Sequence, residues 1–289
     1  MFPIPPLPAF AADQSTTASG HLRYEDVTQD GHLLPVAMPS SLAYLWRDAI
    51  VPHRGARNAL AQGILPILTR MTLISHDQPI RVDRPVEIRA GFQLARDPAT
   101  EKLYMNVWSD IHGAAGKLSR HVTAGELAVA GSVFAEHTFT RLLAPPDQRR
   151  VTRLAVDGYP ELPDTIYAAP AAPTAQEAPE GATWLDELAP DPAEYAFTLD
   201  QTDSNQHVNS LSYVRLFLDA VNRRLASAGR PMRVRSRAVD IAYRKPCFAG
   251  DRVRVQLRLF EHAGHVGAAG SVVGSDGKPR CYVRAIVVP

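Results

Sequence analysis

The order of its periodicities most constrains what this 289-residue chain can fold into: a helical pattern followed by four β-like runs occurs twice. In the first half, Leu42, Leu45, Trp46, Ala49 and Ile50 recur at helical spacing, and the pattern resumes around Ala56–Gln62. Runs at Leu65–Ser75, Val86–Ala95, Leu103–Ile111 and Leu127–Phe139 follow. Turn signals at Asp77–Pro79, Asp97-Pro98 and Gly113–Gly116 separate them. In the second half, Leu211, Val214, Leu218, Val221 and Leu225 predict a helix over 210–227. Asn209 or Ser210 can cap its start, and Gly229 followed by Pro231 stops it. Strands then read at Arg235–Tyr243, Arg252–Glu261, Val266–Val273 and Arg280–Val288. A local echo supports duplication: Pro79 to Asp83-Arg84-Pro85-Val86 parallels Pro246 to Asp251-Arg252-Val253, with one residue more in the second spacing.

The halves are joined by Leu154–Tyr195, which holds seven Pro, nine Asp or Glu and no Lys or Arg. That composition predicts an extended acidic linker that buries little. Met1–Ala12 is apolar, carries four prolines and has no basic start, so it reads as an extended, partly disordered leader and not as a secretion signal. The predicted organisation is a leader at 1–20, an N-terminal unit at 21–153, the linker at 154–195 and a C-terminal unit at 196–289. Two cysteines, Cys247 and Cys281, make neither a disulfide framework nor a metal site and point to a reducing, cytoplasmic compartment. No run of about 20 apolar residues is present, so no membrane span is expected. The net charge of +1 argues against wholesale binding of nucleic acid.

Chemistry concentrates just before the second helix. In Thr202-Asp203-Ser204-Asn205-Gln206-His207-Val208-Asn209, polar side chains stand at every second position. An extended segment would point Asp203, Asn205 and His207 to one side, at the positive end of a helix. A carboxylate with helix N–H groups nearby supplies both a base and a home for an oxyanion. Each residue also has a plain structural role: Asp203 as a cap, Asn205 in an Asx turn, His207 bonded to backbone.

The segment Asp203-x-Asn205-x-His207-Val208-Asn209, with Tyr213 four residues on, resembles the active-site segment of plant and bacterial acyl-ACP thioesterases. It is also similar to the wider 4-hydroxybenzoyl-CoA thioesterase superfamily. A second match follows in Tyr243-Arg244-Lys245-Pro246-Cys247 and Gly250-Asp251-Arg252-Val253. The resemblance implies an α+β fold of two tandem hotdog units, each a long helix wrapped by an antiparallel sheet, packed as an intrachain pseudo-dimer. It implies a thioesterase of fatty-acid or polyketide chemistry acting on an acyl thioester of acyl carrier protein or CoA, without metal or other cofactor. Asp203 would be base or nucleophile, with Asn205 and His207 orienting and polarising. Val208, Asn209 and Tyr213 would contact substrate, the last two alternatively serving as cap and packing residue. Where the plant-type pattern has a catalytic Glu before Cys247, this chain has Pro246, which cannot act as an acid or base. The first half lacks an Asn-x-His pair near Asp26, Asp30 and His32, so it is expected to shape the acyl pocket only.

Residues 207–258 hold twelve Lys or Arg against three Asp or Glu, a local balance of +9. Arg223 and Arg224 therefore become candidate contacts for an acidic carrier or for CoA phosphates, with pairing to the acidic linker as the alternative. A homodimer is compatible with the reading. There is no Gly-x-Ser-x-Gly elbow and no dinucleotide fingerprint, and His262 with His265 lacks partners at zinc spacing. Two rival readings remain: a double-hotdog dehydratase of 3-hydroxyacyl thioesters using His32 and Asp203, and a non-catalytic acyl-binding module.

Overall fold

The computed structural model describes Phe2, residues 4–117 and residues 125–289; Met1 and Pro3 of the expected leader lie outside the described residues. The chain divides into an N-terminal unit, Ile4–Leu33 with Ala37–Pro170, and a C-terminal unit, Ala171–Pro289 with Phe2 and Leu34–Val36.

The N-terminal unit begins with β1 (Ser15–Gly20). A short α1 (Leu42–Leu45) runs into a π-helical turn, Trp46–Ile50, and α2 (Arg54–Ala61) follows. Four long strands complete it: β2 (Ile64–Ser75), β3 (Val86–Asp97), β4 (Lys102–Ala114) and β5 (Leu127–Arg141). The antiparallel order is β1-β3-β4-β5-β2. In the C-terminal unit, β6 (Thr183–Trp184) and β7 (Ala189–Ala196) precede α3 (Ser210–Ser227). Then come β8 (Arg235–Tyr243), β9 (Arg252–His262), β10 (His265–Gly274) and β11 (Pro279–Val288). Here the antiparallel order is β7-β9-β10-β11-β8, with β6 also on β9. In both units the leading strand pairs with the second strand after the helical segment, so the repeated element order is a repeated topology.

The core of the C-terminal unit follows from two periods meeting. Along β9, Val253, Val255, Leu257 and Leu259 are buried and alternate with Arg252, Arg254, Gln256 and Arg258. On α3, Tyr213, Val214, Phe217, Ala220, Val221 and Leu225 form the buried stripe. Burying side chains such as Phe217 and Val221 stabilises the unit by about 1.5–3 kcal/mol each. Leu211 and Leu218, expected on that stripe, are only half-buried. Among the described residues no helix is long and apolar enough to cross a membrane.

Two expectations are corrected. The leader is tied down: the Trp108 indole N–H donates to the Pro5 carbonyl at 3.0 Å, and the Phe10 ring lies 5.8 Å from Trp108. Gly91 makes this possible, since a Cβ there would come within 2.5 Å of the Phe10 ring. The acidic segment is also packed. Leu154, Val156, Tyr159 and Ala175 are buried, and its last residues form β7 on the edge of β9. Its prolines concealed the strand. Pro190 and Pro192 are tolerated because β7 is an outer strand with a register shift between Pro190 and Glu194.

Candidate active site

The stretch from Thr202 to Val208 is a closed loop and not the extended segment expected from its alternation. Thr202 and Val208 meet in an antiparallel bridge. Inside it, the Asp203 N–H donates to the His207 carbonyl and the Gln206 N–H to the Asp203 carbonyl, both at 2.9 Å. The Asn205 N–H donates to Asp203 Oδ1 at 2.8 Å, and Gln206 sits in the left-handed region at φ 65°. Asp, Ser and Asn bond to neighbouring backbone and favour such turns, which overrode the period-two pattern.

Asp203 is therefore half-buried, with one carboxylate oxygen held by the loop. Its other oxygen, Oδ2, has no hydrogen-bond partner among the described residues. His207 is half-buried, its ring edge-on to Phe248 with centroids 5.2 Å apart. Asn205 is exposed, and its backbone N–H makes the Asx turn that was its structural alternative. The loop brings these three residues into one turn, but not onto one face of a strand.

Immediately after the loop, structure takes over. The buried Val208 donates its N–H to the Cys247 carbonyl at 2.8 Å. Asn209 caps α3: its Oδ1 accepts from the Leu211 N–H at 2.9 Å. Tyr213 is 3% exposed; its hydroxyl oxygen accepts from the Cys247 N–H at 2.9 Å, and its ring packs on Phe197 and Tyr243. Burial pushes its ionisation well above the ordinary phenol range. Val208 and Tyr213 thus anchor the loop after β8 to the start of α3, while Asn209 caps the helix. Replacing Tyr213 with Phe leaves the buried Cys247 N–H without an acceptor and is expected to cost about 1–3 kcal/mol in thermal unfolding, with KM for any substrate unchanged.

Cys247 and Cys281 are buried and free. Burial raises both thiols, and the opposing contacts of Cys247 with Tyr213 and Arg280 do not reverse it, so neither is a ready thiolate. Beside Cys247, Arg280 is 8% exposed and is bonded to Asp276 at 2.9 Å.

The arginines expected to face a carrier are engaged inside the unit. Arg223 Nε donates to both carboxylate oxygens of Asp191, at 3.1 and 3.2 Å, and the Asp191 side chain is 2% exposed. Arg224 donates to Asp186 at 2.8 Å and to the Ala189 carbonyl at 3.1 Å. The acidic segment is their partner, because its folding back places those carboxylates along α3. In the N-terminal unit, His32 Nε2 lies 3.0 Å from the Asp77 carbonyl oxygen, Asp26 takes Arg23, and Asp30 takes Lys117. His262 and His265 face each other across the β9–β10 hairpin, and among the described residues no group of three His, Cys, Asp or Glu is placed to hold a metal.

A cavity of about 420 Å³ opens beside the loop, between the first turns of α3 and the end of β7. It shares Thr202 and Asn209 with the loop, and Tyr195, Gln201, Ser212 and Arg215 are among its other walls. None of these four was singled out from the sequence. Ser212, Arg215 and Asp219 follow one another at steps of three and four on the polar side of α3, and that spacing is the signal that could have marked them.

A helical segment followed by four antiparallel strands, the last three a meander and the first paired with the last, recurs in both units and is the arrangement of the hotdog class of fold. Over most of its length the chain has a double-hotdog, acyl-ACP-thioesterase-like fold. It is similar to an acyl-ACP thioesterase from Bacteroides thetaiotaomicron, with a TM-score of 0.63 and 14% identity over 95% of this chain and 98% of that one. It is also similar to a 12:0-ACP thioesterase from Umbellularia californica, with a TM-score of 0.59 and 12% identity over 97% and 99% of the two chains. No protein-family model and no curated protein matches the sequence.

Proposed function

We propose that the chain hydrolyses an acyl thioester carried on acyl carrier protein or CoA, with Asp203 as the base or nucleophile. The observation that carries this reading is the Asp203–His207 loop, closed directly before a capped α3 and leaving Asp203 Oδ2 unengaged among the described residues. Water, activated by that oxygen, adds to the carbonyl carbon; the C–S bond breaks, the sulfur takes a proton, and a carboxylic acid leaves. Attack by Asp203 itself, through an anhydride that water then opens, reaches the same products. The positive end of α3 favours the oxyanion, and His207 polarises the carbonyl.

In this reading the two units are tandem hotdogs packed as an intrachain pseudo-dimer. Residues 21–153 shape the acyl pocket without chemistry, and 196–289 carry the reacting groups. The repeated strand order of the two units supports it. The likeness to two thioesterases named for acyl-ACP substrates supports the carrier. Incubation with acyl-ACP, acyl-CoA and 3-hydroxyacyl-ACP, read by mass, is expected to release free acid and free carrier thiol. Loss of water from the 3-hydroxyacyl substrate with the thioester intact would establish the dehydratase reading instead, and binding without turnover the acyl-binding module.

A further inference from the structure

We propose that Phe248 is the positioning residue of the reacting loop, setting the angle of the His207 imidazole, an inference that rests on the thioesterase reading of that loop. The need for such a residue comes from the loop itself. At His207 its closing bond is a backbone one, from the Asp203 N–H to the His207 carbonyl, so it fixes the main chain and leaves the ring free to turn. Neither ring nitrogen of His207 has a hydrogen-bond partner among the described residues. A histidine that offers one nitrogen to a ligand is ordinarily oriented by a hydrogen bond at the other. Here packing against the ring takes that place.

Phe248 supplies the packing. Its ring meets the imidazole edge-on, with centroids 5.2 Å apart and planes at 70°, a favoured geometry for two aromatic rings. The backbone beneath builds the contact in. The Val208 N–H donates to the Cys247 carbonyl at 2.8 Å, which sets His207 and Phe248, each one residue away, side by side. Phe248 is itself clamped. Its N–H donates to Asp251 Oδ2 at 2.9 Å, and its carbonyl accepts from the Asp251 N–H at 3.1 Å. Gly250 takes a φ of 93° inside this turn, and its N–H donates to the Phe197 carbonyl at 2.8 Å, tying the turn to the chain ahead of the loop. A braced turn thus presents an aromatic ring to an imidazole whose nitrogens are unengaged. Phe248 is 49% exposed, so the core does not depend on its side chain.

Phe248→Ala removes the ring from that exposed position and should leave folding as in the parent. For hydrolysis of acyl-CoA, kcat is expected to fall about tenfold with KM within a factor of about two, since a misdirected catalytic group costs rate and not affinity. Phe248→Tyr keeps the ring and should retain the parent kcat within about twofold. In a His207→Ala background, Phe248→Ala should change kcat by less than about twofold, because the group it positions is gone. A parent-like kcat in folded Phe248→Ala, or the same tenfold loss with and without His207, overturns the positioning role and leaves the thioesterase reading intact. Proton NMR tests the contact without turnover. The His207 ring protons, assigned by their absence in His207→Ala, should be displaced by the Phe248 ring current in the parent and move toward free-histidine values in Phe248→Ala. An undisplaced signal in the parent, or one that Phe248→Ala leaves in place, overturns the proposal even if no thioester proves to be a substrate.

Discussion

Asp203→Asn is expected to lower acyl-thioester turnover by roughly 10²–10⁴ while leaving the melting temperature of the protein where it was. The structure sharpens why the two readouts separate. Asp203 Oδ1 accepts the Asn205 N–H at 2.8 Å, and an amide oxygen accepts it equally well. The backbone bonds that close the loop, to His207 and from Gln206, do not involve the side chain. The substitution therefore keeps the turn and removes the charge and basicity of Oδ2, which has no hydrogen-bond partner among the described residues. Rate and melting temperature are both measurable on one preparation. A folded Asp203→Asn protein with near-parent turnover would sink the mechanism.

Reversal of the paired arginines should act on stability. In Arg223→Glu with Arg224→Glu, a carboxylate replaces the guanidinium that neutralises Asp191, whose side chain is 2% exposed, and another faces Asp186. Removing one partner of a buried pair costs on the order of 3–5 kcal/mol. Since Arg223 is itself 42% exposed, the lower end applies to that pair, and repulsion at Arg224 adds to it. Chemical denaturation should show the double variant destabilised by about 3 kcal/mol or more, with β7 the first element to lose hydrogen-exchange protection. If the variant instead matches the parent in stability and fails only with carrier-bound substrate, the docking role of these arginines is restored.

These outcomes trace what the chain of letters made readable. The bounds of α3 were legible because both ends carry loud chemistry: Asn209 can cap, and Gly229 can take the left-handed φ of 63° that stops the helix. The long strands were legible because each repeats burial at period two or runs apolar between turn residues. Pairing was not. The balance of +9 around Arg223 records a sign, and nothing in it says that Asp186 and Asp191, more than thirty residues earlier, lie alongside. The loop at Asp203 was misread for a related reason. Asp, Asn and His at alternate positions satisfy a strand template, while the decisive preference was local bonding by Asp203 to the backbone of Asn205. The candidate chemistry was thus visible as residue types, and its geometry was not. The cavity was missed because Tyr195 and Ser212 meet only after β7 has folded onto β9.

The prolines of β7 have a consequence for how the protein behaves in a crowded solution. Pro190 and Pro192 carry no backbone N–H, so the rim that β7 presents is short of the donors an incoming strand needs. Exposed Glu194 adds charge to the same rim, and the register shift bends it away from a flat template. A sheet that ends this way resists being lengthened by a stray chain, so the stretch that looks least like a strand guards the unit against growing into a fibre.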